Sequence, residues 1–286
     1  MFICFCAVSG YYRVNYDSRN WKAIIDELNG ENFISTHELN RAQLLDDSFN
    51  LARYDYLDFN IALNLTKYLR HERDLIPLTA GFKAIEFLLT RLDQEDFFKE
   101  LRAILLSIVE EIYVNINDDD VEVTAEDEDY QVLTKLLVNS FACRIGVKPC
   151  IDDATKKLFL FDLTTRNADV DERPFLYCGV LGGDLDNYHW TQLKRKIVTA
   201  TEATYRDMQE EFNEIFEAFS SCDKNLSRVE QLLNDIFTFD NETLGYNFIT
   251  RENAVQVVGN LIKTSSEHRS LMMKFFSKNF DAVNEK

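Results

Sequence analysis

Four histidines are spread along the chain, His37, His71, His189 and His268, and two of them, His37 and His71, are followed by glutamate. That pair of letters begins the zinc helix His-Glu-x-x-His, which sets two imidazoles one turn apart and places the glutamate to activate water. Arg41 stands four residues after His37 and Leu75 four after His71, so neither completes the motif. The histidines are too scattered for another metal cluster, and ordinary surface or part-buried imidazoles are expected. Nucleophile signatures are equally absent: there is no Gly-x-Ser-x-Gly elbow, no Walker loop and no Gly-x-Gly-x-x-Gly. Gly179-Val-Leu-Gly182-Gly183 reads as a tight connection between helices. The neighbouring carboxylates Asp46-Asp47 and Asp152-Asp153 would point about 100° apart on a helix, so neither makes a facing acid–base couple. Asp152-Asp153 is expected instead to open a helix through its dipole. No catalytic residue, metal ligand or cofactor site is expected in this chain.

Between Asn117 and Tyr130 lie eight acids and no base: Asp118, Asp119, Asp120, Glu122, Glu126, Asp127, Glu128 and Asp129. A calcium loop starting at Asp118 would want glycine sixth and a bidentate glutamate twelfth, but Val123 and Asp129 occupy those places. A solvated acidic loop fits better, dividing the chain into about 1–116 and 131–286. Six cysteines are present: Cys4, Cys6, Cys143, Cys150, Cys178 and Cys222. Gly146 and Pro149, between Cys143 and Cys150, would end a helix and turn the chain back, which could bring those sulfurs within bridging reach. Cys178 and Cys222 would then join neighbouring helices. Spacing alone leaves bridges and buried free thiols level. Three sequons, at Asn64, Asn225 and Asn241, are candidates for N-glycosylation.

The elements that must carry these residues are mostly helical. Gly10 to Asp17 alternates Tyr12, Val14 and Tyr16 with Tyr11, Arg13 and Asn15 and reads as the one strand. Ser35-Thr-His-Glu38 has the form of a capping box. Beyond it, one helical face runs through Leu57, Ile61, Leu65 and Tyr68. A second runs through Phe97, Leu101, Ile104, Leu105, Ile108 and Ile112, with Asp93 expected as its N-cap. Three later stripes begin at Met208, Val229 and Met272. Helices joined by short polar links suggest a stacked array, although no repeat period shows in the letters.

Composition agrees. Of 286 residues, 31 are Lys or Arg and 49 Asp or Glu, a net charge of −18 that repels phosphate backbones and makes nucleic acid a poor partner. Hydrophobic residues make up 46%, with 22 phenylalanines, enough for a sizeable core. Nine glycines and three prolines are too few for the turns of an all-β fold. No apolar run reaches the ~18 residues of a membrane span. Met1 to Ser9 is apolar but lacks a preceding Lys or Arg, so it makes no clear signal peptide, and Val283-Asn-Glu-Lys286 is no lipid-anchor tail.

From Gly10 to Pro77 the letters become specific. Gly10-Tyr-Tyr-Arg-Val-Asn-Tyr-Asp17 is followed in order by Arg41-Ala-Gln-Leu-Leu-Asp-Asp-Ser-Phe-Asn-Leu-Ala-Arg53, Ala62-Leu-Asn-Leu-Thr-Lys-Tyr-Leu69 and Glu72-Arg-Asp-Leu-Ile-Pro77. Together with Ala142-Cys-Arg-Ile-Gly-Val-Lys-Pro-Cys150 and Arg173-Pro-Phe-Leu-Tyr-Cys178, these resemble the ERAP-like C-terminal domain of the M1 zinc aminopeptidases, aminopeptidase N type. The chain departs from that pattern at Leu78 and Phe280, where tryptophan is common, and in a longer segment between Cys178 and Cys222.

The resemblance implies an all-α, HEAT- or armadillo-like superhelical array of antiparallel helices over 18–286, including the acidic loop 117–130. Residues 1–17 would be the remnant strand of a β-sandwich, and the array would stop short of the family's C-terminus. It also implies the bridges Cys143–Cys150 and Cys178–Cys222, and with them a secreted, extracellular or membrane-associated setting. Zinc would belong to a separate catalytic domain. Arg41, Asp46 and Asp47 match a structural helix and inherit no catalytic role. The expected function is a non-catalytic peptide-binding or scaffold domain. Its partners would be a peptide, an aminopeptidase catalytic domain or a second copy in a homodimer. The alternative is a fragment or trans-acting part of an M1 aminopeptidase that removes N-terminal residues from peptides.

Overall fold

A computed structural model describes residues 12–118, 128–159, 170–183, 187–199, 207–237 and 251–280. Among the described residues there are thirteen α-helices, two 3-10 turns and no strand, an all-α array. The chain divides into two compact units: Met1–Arg91 with Phe97–Val138, and Leu92–Asp96 with Asn139–Lys286.

In the first unit α1 (Ser18–Leu28) starts at Asp17, whose carboxylate accepts the Asn20 N–H at 2.8 Å. It buries Trp21, Ile24 and Leu28. The strand expected up to Asp17 does not form over residues 12–17; Gly10 and Tyr11 lie outside the described residues. With no ladder partner, its polar groups are met by helix side chains and a loop carbonyl. Val14 N–H donates to Asp47 Oδ2 at 3.0 Å and Asn15 Nδ2 to the Tyr56 carbonyl at 2.9 Å. Arg13 pairs with Asp46 and Asp47.

The expected capping box is displaced. Phe33–Ser35 winds into a 3-10 turn that buries Phe33, so α2 (Glu38–Arg53) begins two residues later, with His37 Nδ1 accepting from Leu39 N–H. Then follow α3 (Phe59–Leu65), the 3-10 turn Thr66–His71, α4 (Leu75–Arg91) and α5 (Phe98–Ile116). Helix α2 packs on α3 and α4, and α5 on the 3-10 turn. Leu101, Leu105, Ile108 and Ile112 of α5 are buried, whereas Phe97 and Ile104 face out. Asp93 is not the cap of α5; its carboxylate accepts the Ser266 N–H and approaches Arg269, so the short segment 92–96 belongs to the second unit.

Helix α6 (Glu128–Ile145) ends at Gly146, which takes φ 92°, a left-handed value that glycine adopts without strain. Gly146 N–H reaches Cys143 O and Val147 N–H reaches Ala142 O, a Schellman stop. The chain re-enters a helix at once as α7 (Lys148–Phe159). Asp152 and Asp153 therefore sit a turn inside α7 rather than opening it, paired with Lys148 and Lys156. The glycines of Gly179–Gly183 are also not a connection: they form the last turns of α8 (Arg173–Gly183). Helices α7 and α8 approach so closely that a Cβ at Gly179 would lie 2.4 Å from Ala154 Cβ.

The second unit continues with α9 (Tyr188–Val198), α10 (Gln209–Ser221), α11 (Leu226–Phe237), α12 (Arg251–Thr264) and α13 (Ser266–Lys278). Helix α8 packs on α10, α10 on α12 and α11 on α13. Polar contacts between these layers recur at nearly constant separation. Lys194 meets Asp235 across 41 residues, Asn253 meets Asn213 across 40, and Asn260 meets Ser220 across 40. HEAT and armadillo repeats run about 40–47 residues, so these helix pairs stack as such units. The letters hide this because each layer makes its contact with a different residue pair.

Candidate functional site

Three buried polar clusters and one surface groove are chemically notable places among the described residues. The first unit's cluster is built on Arg41, which is 2% exposed although it carries a full charge. Its Nε donates to Glu72 Oε2 at 2.8 Å, Nη2 to Glu72 Oε1 at 3.0 Å, and Nη1 to the Thr36 carbonyl. Asp74 pairs with Nη2, and the guanidinium lies 5.4 Å from the Phe33 ring centre. Glu72 Oε1 also accepts the backbone N–H groups of Arg73 and Asp74. Burial works against the charge on Arg41, but Glu72 and Asp74 outweigh it and leave its pKa raised. Beside them Tyr68 is fully buried, its hydroxyl without a hydrogen-bond partner; burial first and Glu72 second push its pKa well up. The arrangement fixes α2 to the segment before α4.

One of the second unit's two clusters joins α8, α9 and α10. Tyr177 donates to Glu211 Oε1 at 2.5 Å and Lys196 pairs with the same oxygen. Arg173 places Nη1 3.3 Å from Glu211 Oε2 and Nε 3.4 Å from Glu214 Oε2, yet both carboxylate oxygens and that Nε lack hydrogen bonds. Burial raises the Glu214 pKa to about 7; Arg173 opposes this, and Glu210, Glu211 and Glu217 add to it. Burial and the Glu211 carboxylate raise that of the Tyr177 hydroxyl. Nothing in sequence spacing announced this cluster. A signal was nevertheless present: Glu211 shares the α10 stripe with Phe212, Ile215 and Phe219, where an acid is out of place unless partnered.

Two disulfides brace the second unit. Cys143 bridges Cys150 around the Gly146 turn, with Cα atoms 5.3 Å apart, and Cys178 of α8 bridges Cys222 after α10, at 5.2 Å. Cys4 and Cys6 lie outside the described residues. Next to Cys222, Arg228 donates twice to Asp223 Oδ1, at 2.6 and 3.1 Å. His268 is buried there, with Nε2 2.9 Å from the Asp223 carbonyl and Nδ1 2.7 Å from Ser265 Oγ. The other three histidines lie apart: His37 caps α2, His71 is exposed, and His189 stacks edge-on against Tyr188. No group of three or more His, Cys, Asp or Glu among the described residues could hold a metal ion. Asp118, the first acid of the calcium-like spacing, is described, whereas Asp120, Glu122 and Val123 lie outside.

The groove lies between α1 and α3. Ile25 and Ile61 floor it, and Ser18, Lys22, Asp26, Asn29 and Lys67 stand on its rim around an open volume of about 460 Å³. Asn64, the first sequon asparagine, is exposed at its edge. Asn225 is exposed too, its Oδ1 accepting the Ser227 N–H at 3.1 Å, while Asn241 lies outside the described residues.

Stacked helix pairs whose polar clusters tie helix to helix define a helical-array domain, and comparison with known proteins places it more finely. A family model, the ERAP1-like C-terminal domain, matches residues 7–286. The chain is 29% identical to aminopeptidase N of Plutella xylostella, over 95% of this chain and 27% of that protein. It is 30% identical to the human thyrotropin-releasing hormone-degrading ectoenzyme, over 96% of this chain and 25% of that one. Human glutamyl aminopeptidase shares 33% identity over 51% of the chain. The chain belongs to the ERAP1-like C-terminal domain family, the C-terminal part of M1 aminopeptidases. It spans about a quarter of the length of the first curated relatives it matches. No described helix is long and apolar enough to cross a membrane.

Proposed function

We propose that this chain acts as the non-catalytic helical domain of an aminopeptidase system, docking a catalytic domain and helping to hold its peptide. The observation that carries this reading is the match over 7–286 to a C-terminal domain family, set against relatives of which the chain spans a quarter. The polar clusters are consumed in joining helices, which suits a scaffold. The setting follows the disulfides and the relative called an ectoenzyme: an oxidising, secretory or extracellular compartment. Asn64, Asn225 and Asn241 are then acceptors for N-linked glycans. The purified chain, incubated with zinc and aminoacyl-coumarin substrates, is expected to release nothing; zinc-dependent release would overturn the reading. Added to a separately produced M1 catalytic domain, it is expected to change peptide cleavage.

A second reading is favoured by the short coverage of the relatives: the chain is one part of a longer or two-chain zinc aminopeptidase. Its catalytic half would then supply zinc and remove N-terminal residues from peptides. Coding sequence in the same frame carrying His-Glu-x-x-His decides between the two.

A further inference from the structure

Asn64 differs from a random surface sequon in what lies beside it. Its side chain is exposed, while Leu65 and Thr66, the sequon's middle and last residues, are buried. Thr66 is 1% exposed and its hydroxyl already donates to the Leu63 carbonyl at 2.7 Å. A transferase that needs that hydroxyl can reach it only before α3 and the following 3-10 turn have formed. Next to Asn64 the groove offers two aliphatic surfaces, Ile25 and Ile61, within a rim of hydroxyl, amide, ammonium and, from Asp26, carboxylate groups. An apolar floor with a few polar groups around it is the chemistry that accepts the face of a sugar ring, and 460 Å³ falls within the roughly 300–1,000 Å³ of small-molecule clefts. Asn225, by contrast, sits in a polar link between helices, its N–H donating to Asp223 Oδ1 and its Oδ1 accepting the Ser227 N–H.

We propose that Asn64 carries an N-linked glycan, attached during synthesis, whose first N-acetylhexosamine lies in the α1–α3 groove. The inference rests on the secretory setting proposed above. In the transfer, Asn64 Nδ2 forms a bond to the anomeric carbon of a lipid-diphosphate-linked oligosaccharide. The bond from that carbon to the diphosphate oxygen breaks, the lipid diphosphate leaves with the electron pair, and Nδ2 loses one proton. The ring then covers Ile25 and Ile61, and its hydroxyls and acetamide reach Lys22, Asn29 and Lys67.

The test is to express the full chain through a eukaryotic secretory route, with Asn64→Gln, Asn225→Gln and Asn241→Gln variants, and to read occupancy by intact mass. Native and denatured protein are then treated with a peptide-N-glycosidase. Expected is a glycan at Asn64, absent from the Asn64→Gln variant, released from native protein roughly tenfold more slowly than the glycan at Asn225 and at the same rate once denatured. Ser18→Trp, which fills the groove from an exposed position, is expected to abolish that protection. If Asn225 or Asn241 is modified and Asn64 is not, the proposal fails and the secretory reading stands. If no site is modified, the proposal fails, and the secretory reading falls with it only if intact mass with and without reductant also shows Cys143, Cys150, Cys178 and Cys222 as free thiols. An Asn64 glycan released natively as fast as that at Asn225 overturns the groove seat alone.

Discussion

Two buried clusters, one in each unit, hold their charges in opposite ways. In the first, Arg41 meets both oxygens of Glu72, a backbone carbonyl and Asp74, and Glu72 in turn caps two backbone N–H groups. In the second, Glu211 has three cationic or hydroxyl neighbours, yet Tyr177 and Lys196 crowd one oxygen while the other lacks a hydrogen bond. Having many partners is thus different from being satisfied, because a fork-shaped guanidinium needs its acceptors in plane and in register. The unit that holds the less well-matched cluster also carries both disulfides. The first unit draws its cohesion from apolar packing around Trp21 and Tyr68 and from the Arg41 cluster.

The comparison can be broken most sharply at Arg41. Arg41→Met leaves Glu72 buried without its counter-charge, and breaking one side of such a pair costs roughly 3–5 kcal/mol. The chain has two tryptophans, Trp21 in the first unit and Trp190 in the second, so each unit has its own fluorescence reporter. Urea unfolding followed by Trp21 in a Trp190→Phe background is expected to show the loss. An unchanged Trp21 midpoint would show that the paired cluster contributes little.

In the second unit the bridges come next. Cys178 and Cys222 are 44 residues apart and Cys143 and Cys150 are 7 apart. Chain entropy then gives up to about 4 kcal/mol for the first and about 2 kcal/mol for the second. Replacing each pair by alanine should lower the Trp190-reported midpoint in that order and leave the Trp21 signal in place. Equal losses would mean that loop length is not what matters here. Arg173→Met should cost less than Arg41→Met, about 1–2 kcal/mol, because Glu214 can take up a proton when its counter-charge goes. A loss as large as that of Arg41→Met would erase the contrast between the clusters.

What was legible beforehand follows from how local each cause is. Helical periodicity foretold the buried stripes Phe212, Ile215, Phe219 and Val229, Leu232, Leu233, Ile236, because burial on one face imposes a 3.6-residue spacing. Caps were misplaced where a non-local partner won: Asp93 serves Ser266, 173 residues away, and the buried Phe33 turn shifts the start of α2. Gly179 looked like a loop residue because its cause is the nearness of Ala154 on another helix. The strand over Tyr12–Tyr16 had correct alternation but found carboxylates of α2 instead of a ladder. The groove and the Glu211 cluster were invisible for the same reason, each joining helices whose proximity no spacing encodes.

The smallest expected effect separates the clusters by pH. Glu214 has a folded-state pKa near 7, raised chiefly by burial, above that of an unfolded glutamate. Between the two values the folded chain holds more protons than the unfolded one, so stability increases as pH falls from about 7 toward the ordinary glutamate range and levels off above 7. Partial exposure of the carboxyl to solvent limits the gain to about 1 kcal/mol. Glu214→Gln keeps the shape, removes the titration and should flatten that slope in the Trp190 signal. Asp47 in the first unit is also raised, by burial against the opposing pull of the Val14 N–H and Arg13, and gives the Trp21 signal a slope of the same sign that Glu214→Gln leaves alone. If Glu214→Gln leaves the Trp190 slope unchanged, the proton resides elsewhere in the Glu211 cluster, and its unsatisfied oxygens are not what distinguishes the second unit from the first.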